Sequence, residues 1–173
     1  MPMDPLKFVV LDEEDLEVAS AHLQDAVLKV SDILWRPQEK RVVIALHRFD
    51  WEGAQGAQGA RRVQGVQAVQ SADPQYQRRL AALRFERVLS CKSRQVDPVR
   101  KDAVLNLLAV EFSETESPSG VIMLTFSGGA SVRLEVECLE AELADLGPSW
   151  TAASCPSHAD VDADAGRTGA KSI

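Results

Sequence analysis

The sequence predicts an α+β fold: a mainly antiparallel, bent sheet or partly open barrel of about six or seven strands, with one N-terminal and one C-terminal helix. Three observations predict it. Apolar and polar residues alternate with period two along much of the chain, which sets successive side chains on opposite faces of a strand. Short turns join these segments without intervening helices, which argues against a doubly wound nucleotide-binding fold. The third is the run 121–147, VIMLTFSGGASVRLEVECLEAELADLG, which reads as strand, tight turn, strand and amphipathic helix.

In chain order, Leu6–Leu11 is a short apolar strand. Asp12 is placed to cap the next helix, with Glu13, Glu14 and Asp15 favourably set in its first turn. Leu16, Ala19, Ser20, Leu23 and Val27 form the stripe that turns this helix toward a sheet. From Ala26 to Trp35 the pattern becomes extended, and Arg36-Pro37-Gln38-Glu39-Lys40 reads as a turn. The strand Arg41–Trp51 puts Val42, Ile44 and Leu46 on one face and Val43, Ala45, His47, Phe49 and Trp51 on the other. Two partly apolar faces suit a central strand, or one whose second side is covered.

Residues 53–74 are a tract of Gly, Ala, Gln and Val, and 53–77 is expected to be a flexible low-complexity insertion. Leu80–Ser93 resumes strand character, with a bulge expected near Arg87-Val88 to return Val88 or Leu89 to the core side. Ala103–Phe112 is a further strand.

In the next hairpin, a two-residue Gly128-Gly129 turn would set Leu124 opposite Arg133 and mix the apolar and charged faces. A three-residue Ser127-Gly128-Gly129 loop pairs Phe126 with Ala130, Leu124 with Val132 and Ile122 with Leu134, with Gly129 left-handed. Leu139, Leu143 and Leu146 then lie four and three apart, as on one face of a helix, and Gly147-Pro148 supplies a stop. The whole is read as one domain over 1–150, followed by a mostly disordered tail over 151–173.

At 173 residues, 45% hydrophobic and 26% charged, the chain suits one globular domain with a real core. No apolar run reaches the roughly 20 residues of a membrane-spanning helix. No basic stretch followed by an apolar one opens the sequence, so no secretory signal and no membrane partner are expected. Cys91, Cys138 and Cys155 are odd in number, widely spaced and in no CxxC pair, as expected for reduced thiols in a cytoplasm. Charge is uneven: from Gly53 to Lys101 ten basic residues face three acidic, a local +7 in a chain of net −7.

No phosphate-loop, nucleophile-elbow, zinc-protease or calcium-loop motif occurs, and no cofactor or metal is expected. His22, Asp25, His47 and Trp51 are the candidates for a small-ligand pocket, since imidazole and carboxylate together can move protons or hold ligands. A surface His22 and a half-buried, hydrogen-bonded His47 are the simpler assignment. Cys91, beside Lys92 and near Arg87 and Arg94, has the cationic surroundings that stabilise a thiolate, but no paired His is indicated and a structural cysteine is expected. Arg84, Arg87, Lys92 and Arg94 are candidates for anion or partner contact. A solvated basic face suits them better than a nucleic-acid surface, because stacking aromatics are scarce nearby.

The segments AHLQDAVLKVSDI (21–33), HRFDWE (47–52) and RLEVECLEAELADLGPSW (133–150) together resemble an alphaproteobacterial family of uncharacterised proteins, the domain of unknown function 2948. The likeness covers roughly residues 6–52 and 78–158, leaving the 53–74 tract outside it. It implies a small bacterial cytoplasmic protein and supplies no activity, cofactor or catalytic residue. The element order also resembles pleckstrin-homology architecture, a sheet closed by a C-terminal helix, which carries no expectation of phosphoinositide binding. The functional expectation is a non-enzymatic protein-binding or regulatory module, acting on an unknown protein partner or by self-association. A small-ligand-binding protein or enzyme near His22 and His47 is the alternative. Nucleic-acid binding through the Arg-rich segment is the third.

Overall fold

The computed structural model describes residues 5–50, 77–147 and 150–151. Strands β1 (Lys7–Val10), β2 (Ala26–Lys29), β3 (Ile33–Arg36), β4 (Arg41–Phe49), β5 (Gln77–Phe85) and β6 (Val88–Arg94) make up the first half, with helix α1 (Glu13–Leu23) between β1 and β2. Strands β7 (Val104–Glu114), β8 (Gly120–Phe126), β9 (Ser131–Val136), β10 (Ala141–Asp145) and β11 (Trp150–Thr151) complete them. All belong to one antiparallel sheet in the order β1-β10-β5-β4-β2-β7-β8-β9-β6, with β3 also on β4 and β11 also on β5. The path is open, ending at β1 and β6. The protein is therefore mostly β with a little α.

The helix forms where the sequence places it. The Asp12 carboxylate accepts from the Asp15 N–H at 2.8 Å and so satisfies a first-turn donor. Leu16, Ala19 and Leu23 are buried against the sheet, while Asp25, at φ 62°, turns the chain into β2. Val27, expected on the helical stripe, lies on β2 opposite His47 of β4.

The β8–β9 hairpin has the expected register, Ile122 opposite Leu134 and Leu124 opposite Val132. The Phe126 N–H donates to the Ala130 carbonyl at 2.9 Å across the three-residue loop. Gly129 is left-handed at φ 83°, and so is Gly128 at φ 77°. β4 is central, flanked by β5 on one edge and by β2 and β3 on the other.

Three expectations are corrected. The C-terminal helix does not form: residues 141–145 are strand β10, inserted between β1 and β5. Leu139, Ala141 and Leu143 are buried and share period-two parity, so the segment satisfies both periods. Two waiting strand edges, each with unpaired backbone donors and acceptors, decide for the strand. The likeness to pleckstrin-homology architecture falls with that helix, and α1 is the helix that packs on the core.

The count of six or seven strands is also too low. Ala26–Arg36 splits into β2 and β3 around a 3₁₀ turn at Val30–Asp32. The single strand expected over Leu80–Ser93 breaks at Glu86-Arg87, where Arg87 is left-handed at φ 60°. β6 then pairs with β9 rather than continuing β5. Val88 does return to the core, as expected, and an irregularity in the β6–β9 register falls between Val88 and Ser90.

One core cluster draws side chains from both halves of the sheet and from α1. The expected insertion, apart from Gln77 in β5, lies outside the described residues, as does the expected tail beyond Thr151.

Candidate functional site

The most heavily buried polar chemistry lies at one end of the β4–β5–β10 layer. Along β4, Val42, Ile44 and Leu46 face the core, and the same parity carries Arg48 and Asp50 inward. Arg79 of β5 lies directly opposite Arg48, so two guanidinium groups meet on one buried face. Like charges opposite each other destabilise a sheet unless they are compensated. Here Asp145 of β10 accepts from Arg48 Nε at 2.8 Å and from Nη2 at 2.9 Å. Asp50 accepts from Arg79 Nε at 3.1 Å. Asp145 also accepts the Leu6 N–H at 2.8 Å, tying the start of the chain to the same carboxylate.

Sequence reading missed this quartet. The signal was present: a charged residue in step with Val42, Ile44 and Leu46, and another in step with Leu139, Ala141 and Leu143. Each pair sets an arginine against a carboxylate and is neutral overall, which suits a core closure.

Of the proposed ligand-pocket residues, Asp25 and His47 have their backbone carbonyls linked through one arginine. Arg78 Nη1 donates to the Asp25 carbonyl at 3.3 Å and to the His47 carbonyl at 3.4 Å, linking the end of α1 to β4. His22 lies in the last turn of α1, half-buried. Trp51 lies outside the described residues. Among the described residues, no group of three or more His, Cys, Asp or Glu side chains is placed to hold a metal ion. Burial pushes the Cys91 thiol upward, the reverse of thiolate activation.

Two of the four basic candidates, Arg84 and Arg87, are engaged within the chain. Arg84 pairs with Glu86 at 3.1 Å and Glu142 at 3.6 Å. Arg87 meets Glu140 at 3.5 Å and Glu137 at 3.9 Å. Lys40 bonds Glu137 as well, and Arg41 bonds Glu86 at 2.8 Å. Lys40, Arg41, Arg84, Glu86, Arg87 and Glu140 line a mixed-charge depression of about 390 Å³ at the β5–β6 corner. Glu137, Glu140 and Glu142, on and just before β10, thus offset the charge of Arg84 and Arg87. Lys92 and Arg94 instead sit exposed on the end strand β6, Lys92 opposite Arg133 of β9.

Glu137 is held below the ordinary carboxylate range, first by its hydrogen bond from Lys40 and then by the charges of Lys40 and Arg87. Its contribution to stability is therefore present above the unfolded-state value and lost as pH falls through the depressed folded value. Carboxyl-resonance titration of a Lys40→Met variant is expected to move the Glu137 midpoint upward. An unmoved midpoint would show that Lys40 is not the cause.

The remaining feature is a groove of about 680 Å³ between α1 and the second half of β7. β2 pairs with β7 only over Val104–Leu107, and the Asp25 N–H closes that ladder on the Leu107 carbonyl at 2.9 Å. Beyond this point, no described strand adjoins β7 on the side away from β8. The Val110 N–H points to that side, because it donates to Ser20 Oγ of α1 at 2.9 Å. Backbone direction alternates along an antiparallel strand, so Phe112 and Glu114 present their N–H and C=O groups to the same open edge. Leu16, Val110, Phe112 and Met123 supply apolar lining; Glu13, Glu17 and Glu111 supply charge. Gly120 lies under the Phe112 ring, where a Cβ would come within 2.4 Å of Cε2.

Comparison with curated proteins and with solved structures gave no match. A family model described as a protein of unknown function (DUF2948) matches residues 6–158. The matched range begins one residue before β1 and runs past β11, so it takes in the buried Arg–Asp pairs, the Arg78 link and the groove beside β7. On that coverage, the chain belongs to the DUF2948 family of proteins of unknown function.

Proposed function

We propose that this protein is a non-enzymatic binding module that engages a partner protein through the groove between α1 and the open edge of β7. The occupant is an extended segment of the partner, added to the sheet as a further strand. The carrying observation is the backbone direction fixed at Val110, which puts the edge groups of Phe112 beside the groove and those of Glu114 further along the same edge. An added strand gains main-chain hydrogen bonds from such an edge and side-chain selectivity from the groove walls. The pairing of Arg84 and Arg87 with carboxylates of the same chain supports the same reading.

The test places a photo-crosslinking residue at Ser113, maps the adduct by mass spectrometry, and adds the mapped segment to the purified protein. The expected result is slowed amide exchange at Phe112 and Glu114, abolished by Glu114→Pro, which removes an edge donor from an exposed position. Binding that leaves those amides unprotected, or that survives Glu114→Pro, would overturn the reading.

A second reading, a small-ligand site around His22, Asp25, His47 and Trp51, is favoured by the Arg78 link between Asp25 and His47. It expects the His47 ring resonances to move when a metabolite extract is added. Unmoved resonances would remove it.

A further inference from the structure

We infer that the segment this groove takes is basic on one face and apolar on the other, with Lys or Arg alternating with aliphatic residues. The inference rests on the reading of the groove as a strand-docking site and adds the chemistry of its occupant. A strand laid along β7 places alternate side chains on alternate faces of the sheet. A residue opposite Phe112 shares the Phe112 face, where Leu16 of α1 also lines the groove. Its neighbour, opposite Glu111, shares the Glu111 face.

Charge is one-signed here. Glu13 and Glu17 stand one turn apart on α1 and Glu111 lines the groove from β7, while among the described residues no Lys, Arg or His lines it. The chain as a whole carries net −7, so its long-range field reinforces the local one. An acidic segment would meet three carboxylates and no basic group among the described lining residues, and a wholly apolar one would strip water from them without replacement. A Lys or Arg stem can cover apolar lining while its charged end stays hydrated beside a carboxylate.

Charged side chains also guard strand edges against unwanted pairing, and that role alone would make the edge refuse every added strand. Selection separates the two. Random peptides of about ten residues, enough for a strand of ordinary length, are displayed and selected on the immobilised full chain at low salt. The expected result is enrichment of alternating basic–aliphatic sequences. The best of them should weaken about tenfold against a Glu17→Lys/Glu111→Lys variant and weaken further with added salt. Both positions are at the surface, and an unchanged melting temperature would show that the variant is folded.

Enrichment of neutral or acidic extended sequences that still protect the Phe112 amide would overturn the basic specificity and leave the strand-docking reading standing. Basic peptides indifferent to the double reversal would also overturn it. No enrichment of any sequence would overturn both, leaving the carboxylates as edge guards.

Discussion

Asp145→Ala is expected to destabilise the fold by about 3–5 kcal/mol, because it removes the buried carboxylate that accepts two hydrogen bonds from the Arg48 guanidinium. Both side chains are essentially inaccessible, 2% exposed for Arg48 and 0% for Asp145, so water cannot replace the lost contacts. The same substitution removes the acceptor for the Leu6 N–H, loosening β1 at the end of the sheet. Chemical denaturation of the two proteins measures the difference. An Arg48→Met/Asp145→Leu double variant is expected to recover most of the loss, since a buried ion pair gains little over well-packed apolar groups of similar size. A double variant as unstable as Asp145→Ala would show that the pair contributes more than mutual neutralisation. A single variant as stable as the parent would show that Arg48 has another route to compensation.

Leu143→Ala is expected to cost about 2–5 kcal/mol, whereas Leu146→Ala should change stability by no more than about 0.5 kcal/mol. As a helix, this segment would carry both leucines on one buried face, and the two losses would be similar. As strand β10 it buries Leu143 completely, at 0% exposure, and leaves Leu146 59% exposed. Leu143 packs where β10 crosses β5 opposite Leu83, and truncating it opens a cavity between strands paired on both edges. Equal losses at the two positions would contradict the strand.

The two experiments probe the place where local pattern and final structure diverge. Local arguments succeeded at the hairpin and at the helix cap. The β8–β9 register followed from keeping Leu124 and Val132 on one face, and the cap on α1 followed from Asp12 preceding a run of acidic residues. At Leu139–Leu146 the sequence fits period two and period 3.6 together, and local pattern has no means of choosing. The choice came from β1 and β5, whose edges lie more than fifty residues away in the chain and gain hydrogen bonds only if a strand enters between them.

The candidate sites divide along the same line. His22, Asp25 and His47 were visible as residue types, but the contact that joins Asp25 to His47 runs through Arg78, on the far side of the low-complexity tract. Arg84 and Arg87 were visible as positive charge, and only the folded arrangement of Glu137, Glu140 and Glu142 shows that charge neutralised. Arg48 had the right parity for burial, yet a buried arginine is acceptable only with a partner, and Asp145 is 97 residues distant in the chain.

By itself, the sequence determined the strand-rich antiparallel class, the capped N-terminal helix, the hairpin register and membership of a family. Each depends on periodicity, turn chemistry or likeness along the chain. Only the tertiary structure decided that β10 is a strand, that Arg48 and Asp145 close the core, and that β7 outruns β2 to leave an edge beside α1. Those outcomes follow from which backbone groups and charges find partners across the sheet, and that condition is met only when distant segments meet.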